Sequence, residues 1–297
     1  MDILSYWLGV FLAIASGVSN NYGTVLQKKV VNTYKDDSNF FRSLIKNPIW
    51  LFGLVLQYGI GSILYFIAQL FIGPTLIPGL MGAGLIVLAI GAVRIVGEHL
   101  KATEVIGIIM MITAIAFIGF SNMNIDLSQQ NFLNLELLYR TLLFTGIIYF
   151  FAFLFYFFYK KNISKGISLS IYSGFQFALS NFWVGPLIGV LISIFSGKAA
   201  VLEIFLFILA ITILALANVF GTSSIQKAFR EGQASNLIPI QQVPIQIAPV
   251  FYYIAVFLLP IPNLLSLVFL IVGIVLVVVS SFLLGRRQAQ IEKVSDK

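Results

Sequence analysis

Neutral amides set inside long apolar runs are the residues of this chain whose types and spacing could do chemistry. Asn20 and Asn21 share one run, Gln57 and Gln69 the next, Gln176 and Asn181 a later one, and Asn218 another. Gln241, Gln242 and Gln246 crowd a single run near the C-terminus. An amide in hydrocarbon is unfavourable unless paired, so these groups must face the protein interior or a wet cavity. There they can bind a polar solute or cation, or act as interhelical hydrogen bonds worth about 0.6 to 2 kcal/mol each. Pro239, Pro244 and Pro249 recur at even spacing through the same run as the three glutamines. Each lacks a backbone donor, which predicts a broken helix with carbonyls free beside the glutamines.

Charged groups offer less. The acids are Asp2, Asp36, Asp37, Glu98, Glu104, Asp126, Glu136, Glu203, Glu231, Glu292 and Asp296, and all fall in predicted loops or near helix ends. The bilayer midplane therefore has no fixed negative charge, and no metal-ligand set can be named. Arg94 and Glu98, four residues apart, are expected to pair along one helix face as a structural clasp or gate. His99, beside them, reads as a solvated side chain, and Lys28 and Lys29 as lysines that snorkel to the headgroups. Without Cys there is no thiolate site. A nucleophile with its base, paired catalytic carboxylates and a phosphate-binding Gly-Lys loop are missing too, so the expectation is no enzyme and no cofactor.

The elements that must position these groups are membrane helices. Hydrophobic residues make up 59% of the 297 and charged residues 10%, more apolar surface than a water-soluble core could absorb. About nine runs approach the length needed to cross the hydrocarbon: Leu4–Leu26, Ile49–Ile72, Thr75–Val96, Val105–Phe120, Leu137–Tyr159, Ile167–Phe195, Ile204–Ile225, Leu237–Leu259 and Leu264–Leu284. When the loops are assigned alternately to two sides, every Lys and Arg except Arg140 and Lys198 falls on one side. Basic residues stay cytoplasmic during insertion, so the N-terminus is expected outside and the C-terminus in the cytoplasm, in the cell membrane. The net charge of +7 is thus a topology signal rather than a sign of nucleic-acid binding. Phe40, Phe41, Leu44 and Ile45, interleaved with Arg42 and Lys46, suit a short helix lying at the inner surface. The aromatic run from Tyr149 to Tyr159 suits a lipid-facing connector.

An internal repeat is legible. Leu76-Ile77-Pro78 opens the third run and Leu237-Ile238-Pro239 the eighth, at equivalent helix boundaries. Runs one to four then match runs six to nine, with the fifth as connector. The two four-helix halves enter the membrane from opposite sides. The expected organisation is a first repeat over 1–121, a connector over 122–165, an inverted repeat over 166–285 and a cytoplasmic tail over 286–297. Pro78, Pro239 and Pro244 are gating or structural positions in this scheme, and the ten amides named above are substrate-binding candidates.

The stretch Asn20–Lys29, "NNYGTVLQKK", and the region from Asn47 to Phe120 resemble the drug/metabolite transporter superfamily, and within it the NIPA-type magnesium transporters. The shared features are Lys28 and Lys29, Thr75–Pro78, Glu98 with Lys101, Lys227-Ala228-Phe229 and Ser235–Ile240. The family pattern carries an acidic residue near Ser62 and an Asn near Tyr65, and this chain has neither. The resemblance implies an all-α integral membrane protein that moves a small solute by alternating access, with Mg2+ or another divalent cation as the implied cargo. The alternatives are an exporter or exchanger of a small organic metabolite such as an amino acid, and, from a different class, a non-transporting scaffold or receptor. The expected partners are the lipid bilayer and a small solute or cation, with a homodimer as a candidate assembly and no nucleic acid.

Overall fold

A computed structural model describes residues 3–295 apart from 36, 38, 73–76, 122, 124–130 and 198. All regular structure among the described residues is helical: α1 (Ile3–Thr33), α2 (Phe40–Lys46), α3 (Pro48–Leu54), α4 (Gly61–Ile72), α5 (Ile77–Met81), α6 (Gly84–Gly91), α7 (Ala102–Phe120), α8 (Leu135–Lys160), α9 (Lys165–Phe195), α10 (Val201–Glu231), α11 (Ala234–Phe251) and α12 (Leu264–Ser295). In hydrocarbon a helix satisfies its own backbone donors and acceptors, which is why apolar runs of this length fold so. Local chemistry sets several ends. Asn47 accepts from the amides of Ile49 and Trp50 ahead of Pro48, and Asn134 accepts from Glu136 at 2.9 Å.

Among the described residues six helices are long and apolar enough to cross a membrane: Pro48–Ala68, Ala102–Phe120, Leu135–Lys160, Lys165–Phe195, Val201–Glu231 and Leu264–Glu292. The chain is an all-α multipass membrane protein. The other three predicted runs are helical but differ from an unbroken apolar span. The first lies in α1, diluted by Ser16, Ser19, Asn20, Asn21 and Thr24. The third is interrupted between α5 and α6 and ends in a π-helical turn at Ala92–Val96. The eighth is α11, diluted by its glutamines and followed by a π-helical turn at Tyr252–Val256. The break foreseen at Pro239, Pro244 and Pro249 does not occur, because α11 runs through all three. Each proline still leaves a carbonyl one turn upstream without its helical donor.

Contacts divide the chain into two compact units. One takes up 1–123, 226–240 and 262–297, the other 124–225 and 241–261. In the first, α1 packs on α3, α4, α5 and α6, while α7 packs on α12. The segment after Arg286 continues α12 as far as Ser295, with Gln288 fully buried. In the second unit α8 packs on α9, around a core of Phe144, Leu179, Phe182, Trp183, Leu206, Ala210 and Val256. The outer face of α8 keeps Phe150, Phe153 and Phe157 exposed, as a lipid-facing helix requires.

Candidate functional site

The amides fall into two sets, one in each unit. In the first unit Gln57 is not a free ligand. It accepts from Gln27 Nε2 at 2.7 Å, Gln27 Oε1 accepts from Gln226 Nε2, and Gln226 Oε1 accepts from Trp50 Nε1 at 3.2 Å. This is a linear chain of side chains that fastens α1, α3, the π-helical turn Val55–Ile60 and the end of α10. Asn21 bonds back to the Gly17 carbonyl at 2.9 Å, and the Asn20 carbonyl accepts from Thr24. The side chains of Gln69 and Pro78 lie outside the described residues.

The second unit holds the richer set. Ser173 Oγ donates to the Gly221 carbonyl and accepts from Gln241 Nε2, both at 2.7 Å. Asn218 Nδ2 reaches Ser180 Oγ at 2.7 Å, and Gln246 Nε2 reaches Gln242 Oε1 at 3.2 Å. Gln176 is 2% exposed and its Oε1 has no hydrogen-bond partner. A buried amide oxygen without a donor is costly, so it is the acceptor here best suited to an N–H, O–H or cation from elsewhere. Asn181, by contrast, is exposed.

One local arrangement occurs twice. Ser16 Oγ donates to the Gly61 carbonyl at 2.7 Å, as Ser173 does to Gly221. The next residue in each helix is a glycine packed against the backbone of another helix: Gly17 against Met81, Gly174 against Gln241. Gly84 also abuts Gly17, as Pro244 abuts Gly174. The π-helical turns Ala92–Val96 and Tyr252–Val256 complete the two series. Gly221, Gln241, Pro244 and Tyr252 each lie the same number of residues beyond Gly61, Met81, Gly84 and Ala92.

A charged cluster in the first unit was only partly foreseen. Arg94 is exposed and does not pair with Glu98. The π-helical turn and Gly97, at φ +81°, end helical spacing between them, so the rule for residues one turn apart no longer applies. Glu98 is buried and accepts instead from the backbone amides of Ala234 and Ser235, at 2.7 and 3.2 Å, and from Ser235 Oγ at 2.6 Å. It caps the positively polarised start of α11. Lys28 does not snorkel. It is buried and donates to the carbonyls of Phe229 and Gly232, the latter at 2.6 Å, where α10 ends. A cation at a helix C-terminus and an anion at the following N-terminus are each favourable, so these two residues fasten both sides of the α10–α11 turn. Fully buried Glu104 accepts from Asn236 Nδ2 at 2.7 Å and from the amide of Lys101 at 2.6 Å, with Arg287 Nε at 3.8 Å. Gln288 accepts from the Gln233 amide and donates to the Glu231 carbonyl, both at 3.3 Å.

These contacts spend the buried carboxylates of Glu98 and Glu104 on helix ends and amides. No group of three or more His, Cys, Asp or Glu that could hold a metal ion is present among the described residues. The glycine at 97 was the signal that could have moved Glu98 off the Arg94 face, since glycine commonly ends helices. Nothing local marks Lys28, whose acceptors are some 200 residues away in the chain. No family model matches this chain, and no curated protein and no solved structure matches it.

Proposed function

We propose that this protein is a secondary transporter or facilitator, built from nine spans as two inverted four-helix halves joined by α8, that moves a small polar solute by alternating access. The observation that carries the reading is the duplicated Ser-Gly contact with its matching π-helical turns. A duplicated set of helices separated by an odd number of spans is the architecture in which one half rocks against the other. Scaffolds and receptors have no comparable need for it. The amides of the second unit, Gln176 with Gln242 and Gln246, are the solute-binding residues in this reading. The drug/metabolite transporter resemblance agrees with it and supplies Mg2+ as the first cargo to test.

The test is uptake into sealed proteoliposomes containing purified protein and an internal magnesium indicator, set against protein-free liposomes. Saturable uptake that needs the protein, and that falls about tenfold or more in Gln242→Ala, assigns a divalent cation as cargo. Uptake no faster than leak, from protein shown to be folded and inserted, removes Mg2+. The assay then moves to counterflow of small organic solutes such as amino acids, and failure there as well removes the transporter reading.

Orientation is tested separately. The native chain has no Cys, so single-cysteine variants are clean reporters. In intact cells a membrane-impermeant maleimide should label Arg140→Cys and leave Lys161→Cys and Arg286→Cys unlabelled until the cells are opened. The reverse pattern would turn the topology over, and labelling of all three from outside would break the span count.

A further inference from the structure

The short helix α2 is built as more than a connector. Phe40 and Leu44 are buried, while Arg42, Ile45 and Lys46 are exposed. Arg42 and Lys46 stand one turn apart and share an edge, with exposed Ile45 beside them. Two cations from the end of α10 stack on the phenylalanines: the Arg230 guanidinium lies 4.7 Å from the Phe40 ring centre and Lys227 Nζ 5.5 Å from that of Phe41. These contacts hold the two cations over aromatic faces. The nearby Asp37 is occupied otherwise, accepting from Ser43 Oγ and, at 2.7 Å, from the amide of Asn39 at the start of α2. Those hydrogen bonds, with a smaller pull from the Arg230 charge, hold its carboxyl below the usual range, so Arg230 is partly matched within the chain and is not counted among the contacts to an outside anion.

We infer that α2 and the Lys227–Arg230 edge of α10 form a docking site for the phosphate headgroup of an anionic phospholipid, with Arg42, Lys46 and Lys227 as its cationic contacts and Ile45 inserted among the acyl chains. Two features select a lipid over a free phosphate. Arg42 and Lys46 lie along one edge of a short surface helix, and the exposed aliphatic side chain of Ile45 sits between them, as in helices that lie in the headgroup layer. The inference needs only that the chain is membrane-embedded, and it stands whether or not the protein transports Mg2+.

The experiment uses the full-length protein, purified and delipidated in a neutral detergent, with its thermal midpoint followed as phosphatidylglycerol is added. Phosphatidylglycerol should raise the midpoint by several degrees, while phosphatidylcholine and inorganic phosphate at the same concentration should not. The combined variant Arg42→Gln, Lys46→Gln, Lys227→Gln should lose the rise, while Lys160→Gln, Lys161→Gln keeps it. If the triple variant does not fold, wild-type protein in about 1 M salt, where screening reaches within roughly 3 Å, should lose the rise instead. An equal rise in the triple variant, a rise that survives the salt, or an equal rise with inorganic phosphate would each overturn the inference.

Discussion

Glu98→Gln and Lys28→Met are each expected to lower the stability of the detergent-solubilised protein by about 2 to 4 kcal/mol. The reason is asymmetry of loss. Glu98 accepts three hydrogen bonds, two from backbone amides at the start of α11 that have no helical acceptor of their own. The Gln side chain keeps its shape but presents one acceptor oxygen and a donor that faces other donors. Lys28 supplies the end of α10, and its removal strands the carbonyls of Phe229 and Gly232 among buried groups. Glu98 is also the opposite charge that acts on the buried Lys28 ammonium. The two losses should therefore not add: the double variant is expected to be less damaged than the sum of the singles, because neither charge is then left alone in the interior. Thermal or denaturant unfolding of the four proteins checks this, and strict additivity would mean that the two residues act as independent caps.

The second large effect concerns the duplicated glycines. A methyl group added at Gly17 or Gly174 would run into backbone atoms, of Met81 in the first case and of Gln241 in the second, and into the Pro244 ring. Backbone cannot give way as a flexible side chain can, so Gly17→Ala and Gly174→Ala should each cost on the order of 1 to 3 kcal/mol and lower the yield of monodisperse protein. The control is Gly146 on α8, where nothing lies within 4 Å of the added carbon. Gly146→Ala should leave the protein unchanged or stabilise it by up to about 1 kcal/mol through helix propensity. If Gly17→Ala and Gly174→Ala behave like Gly146→Ala, the two close contacts are not the hinge points of the helical packing. If only one of them is damaging, the two arrangements are alike in geometry but not in what they carry.

The glycines and glutamines also separate what is local in the sequence from what is not. The apolar runs are enough to mark the chain as helical and membrane-embedded, because hydrophobicity and backbone satisfaction in lipid are local properties of a segment. The amides are legible in the sequence as polar groups inside apolar runs, yet their partners are not. Gln57 proved to be one link in a chain through Gln27 and Gln226 to Trp50, and Gln27 and Gln226 sit near span ends where nothing singles them out. Arg94 and Glu98 were paired on spacing, which holds only while a helix continues, and a single left-handed glycine between them redirected Glu98 to α11. The prolines of α11 suggested a break that close packing on Gly174 and the hydrogen bond from Gln241 to Ser173 overrode.

Composition and the order of residues along each run thus determined that this is an all-α multipass membrane protein. Which amides are spent as fastenings, which carboxylate caps which helix, and that Lys28 is buried rather than snorkelled were decided only by tertiary structure. Those outcomes depend on acceptors and donors distant in the chain, more than a hundred residues away for Lys28, Glu98 and Glu104. A buried charge or amide takes whatever partner the packing delivers, and spacing along one helix carries no record of it.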